Sequence, residues 1–360
     1  MLRVLIVDDS SLVRSILRDF LESSGKFRVA EEAANGREAV EKALSLNPDL
    51  VTMDIEMPVM NGLDAIGEIR KTLAVPVVVI STHDTAKMAY EATARGAMEF
   101  YAKDLFTADM PVEKRARILD ALVHIAGVKG KLPILRDGKF SFDFPPAPRN
   151  PPLEPRSGPE GAADPAGGRG AGRRVRALVI AASTGGPRAL CSICGALPGN
   201  FPVPILLVQH NSSGFDRGFV QWLNGYTQLD VVLAAEGDLP APGKIYMAPT
   251  DRHLIVGREG CCAFDNGPPE HNQKPAADLL FRSAAKYYGA GLVSLVLTGM
   301  GADGAEGTRA VKEAGGFTLA QDEQSSMIYG MPRVARETGC VDQVVALDRI
   351  PRELVLLAHG

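Results

Sequence analysis

The sequence has few of the features that mark disulfide-stabilised, secreted or membrane-spanning proteins. Its five cysteines are odd in number and two of them are adjacent, so no paired disulfide framework is indicated. No apolar run reaches the roughly 18 residues of a membrane span, and the opening segment MLRVLIVDDS has too short an apolar stretch for a signal peptide. We therefore expect a soluble protein of the reducing cytoplasm, without membrane insertion.

Basic residues are not in excess either. The chain has 39 lysines and arginines against 43 aspartates and glutamates, which leaves a net charge of -4 at pH 7. This balance provides no general positive field for a phosphate backbone, and helix-turn-helix and zinc-finger spacings are missing. Nucleic acid is therefore not an expected partner.

Cys191 and Cys194 form a single CxxC pair. Such a pair can bind metal or carry redox chemistry, but no second CxxC and no suitably spaced histidine pair accompanies it. Because the pair follows Pro187 on an expected helix, packing inside the protein is the simpler interpretation, and the redox or metal role is the alternative.

The pattern that the chain does contain is an alternation of short apolar runs with amphipathic segments. A length of 360 residues suggests two domains. In the first third, the runs VLIVDD, LVTMDI, VPVVVIST and EFYAKD predict parallel strands with helices between them. One of these helices, in SLVRSILRDFLES, is expected to place its six apolar residues from Leu12 to Leu21 on one face.

A change of composition separates this half from the next. The segment at 138–172 is crowded with proline and glycine and reads as an extended linker, with a binding role of its own as the alternative. A second series of runs follows: RALVIAAS, PILLVQH, KIYMAPTD, RHLIVG, LVSLVLTGM, GFTLAQD and QVVALD. We therefore predict two doubly wound parallel-sheet α/β domains at 1–125 and 175–360, joined by a linker at 126–174.

Polar side chains collect at the strand ends of the first domain, where the functional crevice of an open parallel sheet lies. Asp8 and Asp9 follow the first run, Asp54 the second, Ser81 the third and Lys103 the last. Three converging carboxylates repel one another unless a hard cation joins them, and short oxygen ligands suit Mg²⁺. Helix capping explains any one of these acids, but explains the whole set poorly.

The segments VLIVDDS, PDLVTMDIEMPVMNGLD and PVVVIST, with the later Lys103, resemble a two-component response-regulator receiver domain over residues 1 to about 125. The resemblance implies that Asp54 accepts a phosphoryl group from a histidine kinase, that Ser81 senses it and that Lys103 pairs with it. It also implies a Mg²⁺ site formed by three carboxylates and one backbone carbonyl, those of Asp8, Asp9, Asp54 and Glu56. Receivers usually carry proline where this chain has Asp104.

The same strand-end rule brings Ser183, His210 and Asp303 to one edge in the second half. A serine hydroxyl is a weak nucleophile that needs a base, an orienting acid and donors for an oxyanion. Each residue also has a structural interpretation, as a turn or helix cap, a strand-end histidine or an Asx turn. The glycines of ASTGGP could instead cradle a phosphate, but GxGxxG and GK[ST] are absent. On these grounds alone, the hydrolase and structural interpretations stay open.

The segments IAASTGGP, LLVQH, IYMAPTDRHLIV, LTGMGADG and AQDEQSSMIYGMP, in this order, resemble the catalytic domain of the chemotaxis protein-glutamate methylesterase (CheB) family over about 175–355. The resemblance implies Ser183 as nucleophile, His210 as general base and then acid, and Asp303 as the group that orients the imidazole. It also implies three supporting residues, the first positioning His210 and the others donating to the oxyanion: Thr184, Met300 and Gly301.

The implied reaction is hydrolysis of glutamate methyl esters on methyl-accepting chemoreceptors to glutamate and methanol, with deamidation of glutamine as a second activity. The receiver would gate it by packing over the catalytic edge until it is phosphorylated. No cofactor is expected in the esterase site. Ala181, Thr250 and Lys274 depart from the family pattern. Two other functions stay open: a second domain that only binds a partner, and a general esterase or amidase.

Overall fold

The computed structural model describes residues 1–82, 86–107, 109–130 and 174–359, with the backbone alone at 86, 87 and 89. Most of the predicted linker therefore lies outside the described residues. Two parallel sheets dominate the described part, one of five strands and one of seven. The predicted fold class, two parallel-sheet α/β domains, is confirmed.

The N-terminal domain has the strand order β2-β1-β3-β4-β5, with every pair parallel. Its strands are β1 Leu2–Val7, β2 Phe27–Ala33, β3 Leu50–Met53, β4 Val77–Ser81 and β5 Ala97–Ala102. Its helices are α1 Ser11–Glu22, α2 Gly36–Leu46, α3 Gly62–Thr72, α4 Ala86–Ala94 and α5 Val112–Ala126. Strands β3 and β4 are buried along their whole length, because helices cover both faces of the sheet.

Helix starts in this domain follow local sequence signals. Ser10 caps α1 by accepting from the Val13 amide, and Asn35 caps α2 by accepting from the Glu38 amide. The predicted apolar face of α1 is only partly buried, since Leu12 and Ile16 are 69% and 38% exposed. The later apolar residues of the same helix, Leu17, Phe20 and Leu21, are buried in the core of the domain.

The C-terminal domain has the order β14-β13-β12-β6-β7-β9-β8, again all parallel. Its main strands are β6 Ala177–Ala182, β7 Ile205–Gln209, β8 Asp230–Leu233, β9 Lys244–Met247, β12 Leu292–Val296, β13 Phe317–Gln321 and β14 Gln343–Val345. Its helices are α6 Gly186–Ala196, α7 Asp216–Asn224, α8 Ala277–Tyr288, α9 Ala305–Glu313, α10 Met331–Glu337 and α11 Ile350–His359.

Two features of this domain differ from the pattern read in the sequence. The run RHLIVG forms β10 His253–Val256, which pairs antiparallel with β11 Cys262–Asp265 in a separate two-stranded sheet. The run has no position in the main sheet, although its apolar residues suggested one. Strands β2, β8 and β11 did not stand out in the sequence, because charged or polar residues interrupt their apolar runs.

Cys191 and Cys194 are free thiols that lie buried on α6. Burial raises the pKa of both thiols, that of Cys194 to about 12. Such thiols are protonated and poorly nucleophilic near neutral pH, which favours the packing interpretation. Within the described ranges, each helix is too short or too polar to serve as a membrane span.

Candidate active site

The candidate active site lies at the carboxyl ends of three adjacent strands in the larger sheet. From β6 the chain builds the sheet outward through β7 on one side, and it later returns to build the other side from β12. The boundary between the two directions is the topological switch point, where open parallel sheets form their binding crevices. Ser183 directly follows β6, His210 directly follows β7, and Asp303 lies in the loop after β12.

The backbone of Ser183 is held on several sides. Its amide donates to the Thr298 carbonyl at 3.1 Å, and its carbonyl accepts from the Gly186 amide at 2.7 Å. The Gln209 side-chain amide donates to the same carbonyl at 3.0 Å. A Cβ atom at Gly186 would lie 2.0 Å from Gln209 Oε1, so a larger residue there would displace the Gln209 side chain. The turn between β6 and α6 therefore fixes Ser183, whose surface is 9% exposed.

His210 is fixed by its backbone and by one ring nitrogen. Its amide donates to the Ala182 carbonyl at 2.9 Å, and its Nε2 lies 2.8 Å from Asp303 Oδ2. The side chain is 6% exposed. Its Nδ1 is buried and has no hydrogen-bond partner in the described part of the chain. Because Nε2 faces the carboxylate, Nδ1 is the nitrogen left for a reacting group at the end of β6.

Two backbone amides from the start of α8 hold Asp303 from the opposite side. The Ala277 amide donates to Oδ2 at 2.7 Å, and the Asp278 amide donates to Oδ1 at 2.9 Å. Burial raises the pKa of the Asp303 carboxyl, but the contact with His210 and the two amides outweigh burial, and the net pKa is below its usual value. Asp303 is therefore ionised and aligned with the imidazole.

A second buried carboxyl, that of Asp278, lies behind Asp303. Its Oδ1 accepts from the Gly307 amide at 2.6 Å, and its Oδ2 is 3.1 Å from His271 Nε2. Burial and the neighbouring charge of Asp303 raise its pKa to about 6. Sequence reasoning did not single out Asp278 or the start of α8. The only signal was an aspartate at the head of the apolar segment ADLLF.

The loop after β12 offers free amide donors near Ser183. The amides of Met300 and Gly301 donate to no protein acceptor among the described residues, whereas the Gly299 amide donates to the Ile328 carbonyl at 3.1 Å. Gly301 has a φ of 98°, a conformation that favours glycine. A Cβ at Gly299 would lie 2.7 Å from Ser183 Cβ, which shows how closely this loop approaches the serine.

The three departures from the family pattern are accommodated locally. Ala181 is buried in β6, and an added Cβ at Gly304 would lie 3.5 Å from its methyl, an ordinary contact distance. The Thr250 amide and hydroxyl each donate to Asp216 Oδ2 at 3.2 Å. Lys274 Nζ donates to the Gly267 carbonyl at 2.9 Å. Ala181 therefore fits its buried position, and Thr250 and Lys274 each make hydrogen bonds to neighbouring segments.

The N-terminal domain has a second polar cluster at its own strand ends. Carboxylate oxygens of Asp8, Asp9 and Asp54 lie within 4.8 Å of one another. Lys103 Nζ lies 2.8 Å from both Asp8 Oδ2 and Asp54 Oδ2, and Ser81 Oγ donates to Asp54 Oδ1 at 3.0 Å. The structure thus brings together the five residues that the strand-end rule selected.

This cluster fits a hard divalent cation. Burial, together with the charge of Asp54, raises the pKa of Asp8 even though Lys103 opposes the shift. Burial also disfavours the charged Lys103 ammonium, but its contacts with Asp54 and Asp8 outweigh burial and raise its pKa. Three oxygen donors with one lysine between them leave excess negative charge, which is the environment that Mg²⁺ selects. The exposed Glu56 carboxylate is not among the clustered oxygens, and the ligand predicted from this residue is its backbone carbonyl.

Aromatic rings join the two domains beside the larger sheet. Tyr90 of α4 packs against Phe219 and Trp222 of α7, with ring centroids 5.1 and 5.6 Å away. Phe100 of β5 stacks on Phe215 at 4.9 Å with a 24° angle between the planes. The α4 and β5 side of the smaller domain therefore contacts the segment that follows His210.

The same side of the smaller domain reaches the loops around Ser183. Met300 and Ile328 belong to the apolar cluster that contains Tyr101 and Phe106. The Glu99 carboxylate of β5 is hydrogen-bonded to the Thr184 side chain. This is the described contact of that side chain, and a role of Thr184 in placing His210 stays a prediction. The N-terminal domain thus covers part of the catalytic edge.

Comparison with known proteins agrees with this architecture. The receiver-domain family described as "Response regulator receiver domain" matches residues 4–112, and the family described as "CheB methylesterase" matches 178–354. The crystal structure of the Thermotoga maritima CheB methylesterase catalytic domain is similar, with 37% identity and a TM-score of 0.50, over 51% of this chain and 98% of that one.

Two relatives match along almost the whole chain. Protein-glutamate methylesterase/protein-glutamine glutaminase 2 of Anaeromyxobacter dehalogenans is 39% identical over 98% of this chain and 96% of its own length. The protein-glutamate methylesterase/protein-glutamine glutaminase of Pyrococcus abyssi is 39% identical over 98% of this chain and 93% of its own. The chain therefore belongs to the CheB family of protein-glutamate methylesterases, in which a receiver domain precedes the esterase domain.

Proposed function

We propose that the protein hydrolyses glutamate methyl esters on the cytoplasmic part of chemoreceptors, releasing methanol. The observation that carries the proposal is the buried pair of His210 and Asp303, whose free Nδ1 lies at the strand end next to that of Ser183. The names of the relatives support the substrate class. Their second named activity extends the proposal to receptor glutamines, which would lose ammonia. The protein would act in the cytoplasm.

Ser183 is the proposed nucleophile. As its Oγ bonds to the ester carbonyl carbon, the hydroxyl proton passes to His210 Nδ1, and the carbonyl oxygen takes the negative charge. The ionised Asp303 stabilises the resulting imidazolium through Nε2. The Met300 and Gly301 amides are the proposed donors to the oxyanion, because they have no protein acceptor among the described residues.

The intermediate then breaks its bond to the methoxy oxygen, which takes the proton from His210 and leaves as methanol. Water attacks the acyl group on Ser183, giving one proton to His210, and the serine recovers this proton as glutamate is released. Serine hydrolases of the chymotrypsin type direct Nε2 to the serine and Nδ1 to the acid. In this protein Nδ1 would serve Ser183 and Nε2 would serve Asp303, and the proton would still pass from the serine to the imidazole.

Asp54 is the proposed phosphoryl acceptor, with a chemotaxis histidine kinase as donor. The side chains of Asp8, Asp9 and Asp54, with the Glu56 carbonyl, would hold Mg²⁺, which supplies charge neutralisation for phosphoryl transfer when bound. Lys103, at 2.8 Å from Asp54, is placed to pair with the new charge.

The proposed regulation follows from where the phosphoryl site and the interdomain contacts meet. Ser81 is the last residue of β4, and Lys103 directly follows β5. Both strands therefore end beside Asp54. Strand β5 also carries Glu99 and Phe100 to the catalytic domain. Phosphorylation that shifts Ser81 and Lys103 would therefore change the packing of β5 against the esterase, and release of the receiver would open the site.

We also propose the domain limits 1–125 and 175–360, with a linker at 126–174. The support is that the last receiver helix ends at Ala126 and the first esterase strand begins at Ala177. The segment between them has the Pro- and Gly-rich composition of a spacer.

The test uses methanol release from a methylated receptor. Ser183→Ala should remove the esterase activity and labelling by a fluorophosphonate probe, while Ser192→Ala, a control on α6, should keep both. Asp54→Asn should keep the basal rate and lose its stimulation by acetyl phosphate. Retained hydrolysis by Ser183→Ala would refute the nucleophile, and a stimulated Asp54→Asn would move the switch elsewhere.

A further inference from the structure

A histidine outside the proposed triad is tied to it through backbone amides. His253 begins β10 and is completely buried. Its Nδ1 accepts from the Ala276 amide at 3.0 Å, and its Nε2 lies 3.1 Å from the Pro268 carbonyl oxygen. An amide partner requires a lone pair on Nδ1, and a carbonyl partner requires hydrogen on Nε2. These partners define a neutral ring that accepts on one side and donates on the other.

The Ala276 amide is the first of three consecutive amides at the start of α8. The next two, those of Ala277 and Asp278, are the donors to Asp303 at 2.7 and 2.9 Å. One buried histidine therefore holds the residue immediately before the two that hold Asp303. The start of this helix has no side-chain cap of its own, since Ala276 stands at the N-cap position. Asp303 accepts from the first two amides of the helix in place of a cap, and His253 accepts from the Ala276 amide just before them.

We propose that His253 is a positioning residue for ester hydrolysis, acting through the start of α8 on Asp303 and through Asp303 on His210. This inference rests on the proposed catalytic roles of Ser183, His210 and Asp303. His253 has no described contact with these three side chains, so its effect is on the alignment of the acid and not on substrate binding. Alignment errors of about 1 Å can cost about 10²-fold in rate.

Three substitutions separate the two hydrogen bonds of the ring. His253→Asn places an amide oxygen where Nδ1 lies, so it can keep the contact with Ala276. His253→Gln extends its amide to the Nε2 position, so it can keep the contact with Pro268 but loses the hydrogen bond from the Ala276 amide. His253→Ala removes both. We expect kcat within about threefold of wild type for the asparagine variant and about 10²-fold lower for the other two, with KM unchanged.

The pH–rate profile gives a readout that packing alone would not move. A displaced Asp303 stabilises the His210 imidazolium less, so the acid limb of the kcat profile should move to lower pH in His253→Gln and stay in place in His253→Asn. The charged groups around the Asp303 carboxylate are His210, Asp278 and Arg282, and His271 contacts Asp278 behind it. None of them changes between the two variants, so the comparison isolates the hydrogen bond to Ala276.

The experiment uses the full-length protein activated with beryllofluoride and Mg²⁺, steady-state methanol release and urea unfolding, with the exposed His359→Asn as control. Because His253→Ala can lose stability, the decision rests on the asparagine and glutamine variants. Equal kcat losses in these two, or an unmoved acid limb in the glutamine variant, overturn the proposal. Fluorophosphonate labelling of Ser183 is measured in parallel. A wild-type protein that is not labelled would refute the catalytic serine. A labelled wild type, combined with equal kcat losses in the asparagine and glutamine variants, would refute only the role of His253.

Discussion

We expect the protonation of Glu99 to link the pH of the medium to receiver docking. Its partly exposed carboxylate contacts Thr184 across the interface, with the phenols of Tyr90 and Tyr101 as the nearby titratable groups. Burial raises its pKa from 4.5 to about 7, although hydrogen bonds from the Phe100 amide and Thr184 oppose the shift. The docked state therefore favours the protonated carboxyl.

The sign and size of the effect follow from these values. Below pH 4.5 the carboxyl of Glu99 is protonated in the docked and the released receiver, so it adds no penalty to docking. Above its docked pKa of about 7 it is ionised in both, and docking costs up to about 3 kcal/mol. Solvent screening of the partly exposed group reduces this cost, and we expect about 1.4 kcal/mol, or about tenfold in the docking equilibrium.

Glu99→Gln stays neutral and should hold the receiver docked at high pH. At about pH 8 we expect its basal esterase activity to be about tenfold below that of the wild type. Methanol release is measured and divided by the rate of the same variant activated with beryllofluoride and Mg²⁺, which cancels the titration of catalytic groups. In the wild type the ratio should rise between about pH 5 and 7 and then level off.

The matched control is Glu31→Gln, which removes an exposed carboxylate on β2 at the opposite edge of the receiver sheet. Its ratio should equal that of the wild type. A basal ratio for Glu99→Gln at or above the wild-type value at high pH would refute the reasoning, as would a wild-type ratio that stays flat across this range.

Other substitutions test the site and the core. Asp303→Asn should lower kcat by up to about 10⁴-fold with little change in KM, in steady-state assays, because the amide cannot stabilise the imidazolium. Gly299→Ala places a Cβ 2.7 Å from Ser183 Cβ, and we expect about 1–3 kcal/mol of destabilisation in urea unfolding, together with a lower kcat. Cys194, whose thiol pKa burial raises to about 12, should resist iodoacetamide until the protein unfolds; rapid labelling of the native protein would show that the thiol is accessible.

Much of the fold could be predicted from the sequence, because parallel strands that are covered on both faces appear as continuous apolar runs. ALVIAA and ILLVQ are buried along their whole length as β6 and β7. Strands with mixed composition were missed, such as β2, which alternates buried and exposed residues at the edge of its sheet. The run HLIV at β10 has the same apolar composition as a core strand, but it is in a separate hairpin. Composition does not specify a pairing partner.

The sequence by itself determined that two α/β domains are present and that Ser183, His210 and Asp303 each follow an apolar run. The strand-end rule works for these residues because the carboxyl ends of parallel strands share one edge. Only the tertiary structure decided that His210 turns Nε2 toward Asp303 and that amides from α8 complete the carboxylate's partners. It also decided that Glu99 of the receiver meets Thr184. The physical reason is that hydrogen bonds between distant segments depend on strand order and side-chain orientation, and local composition encodes neither.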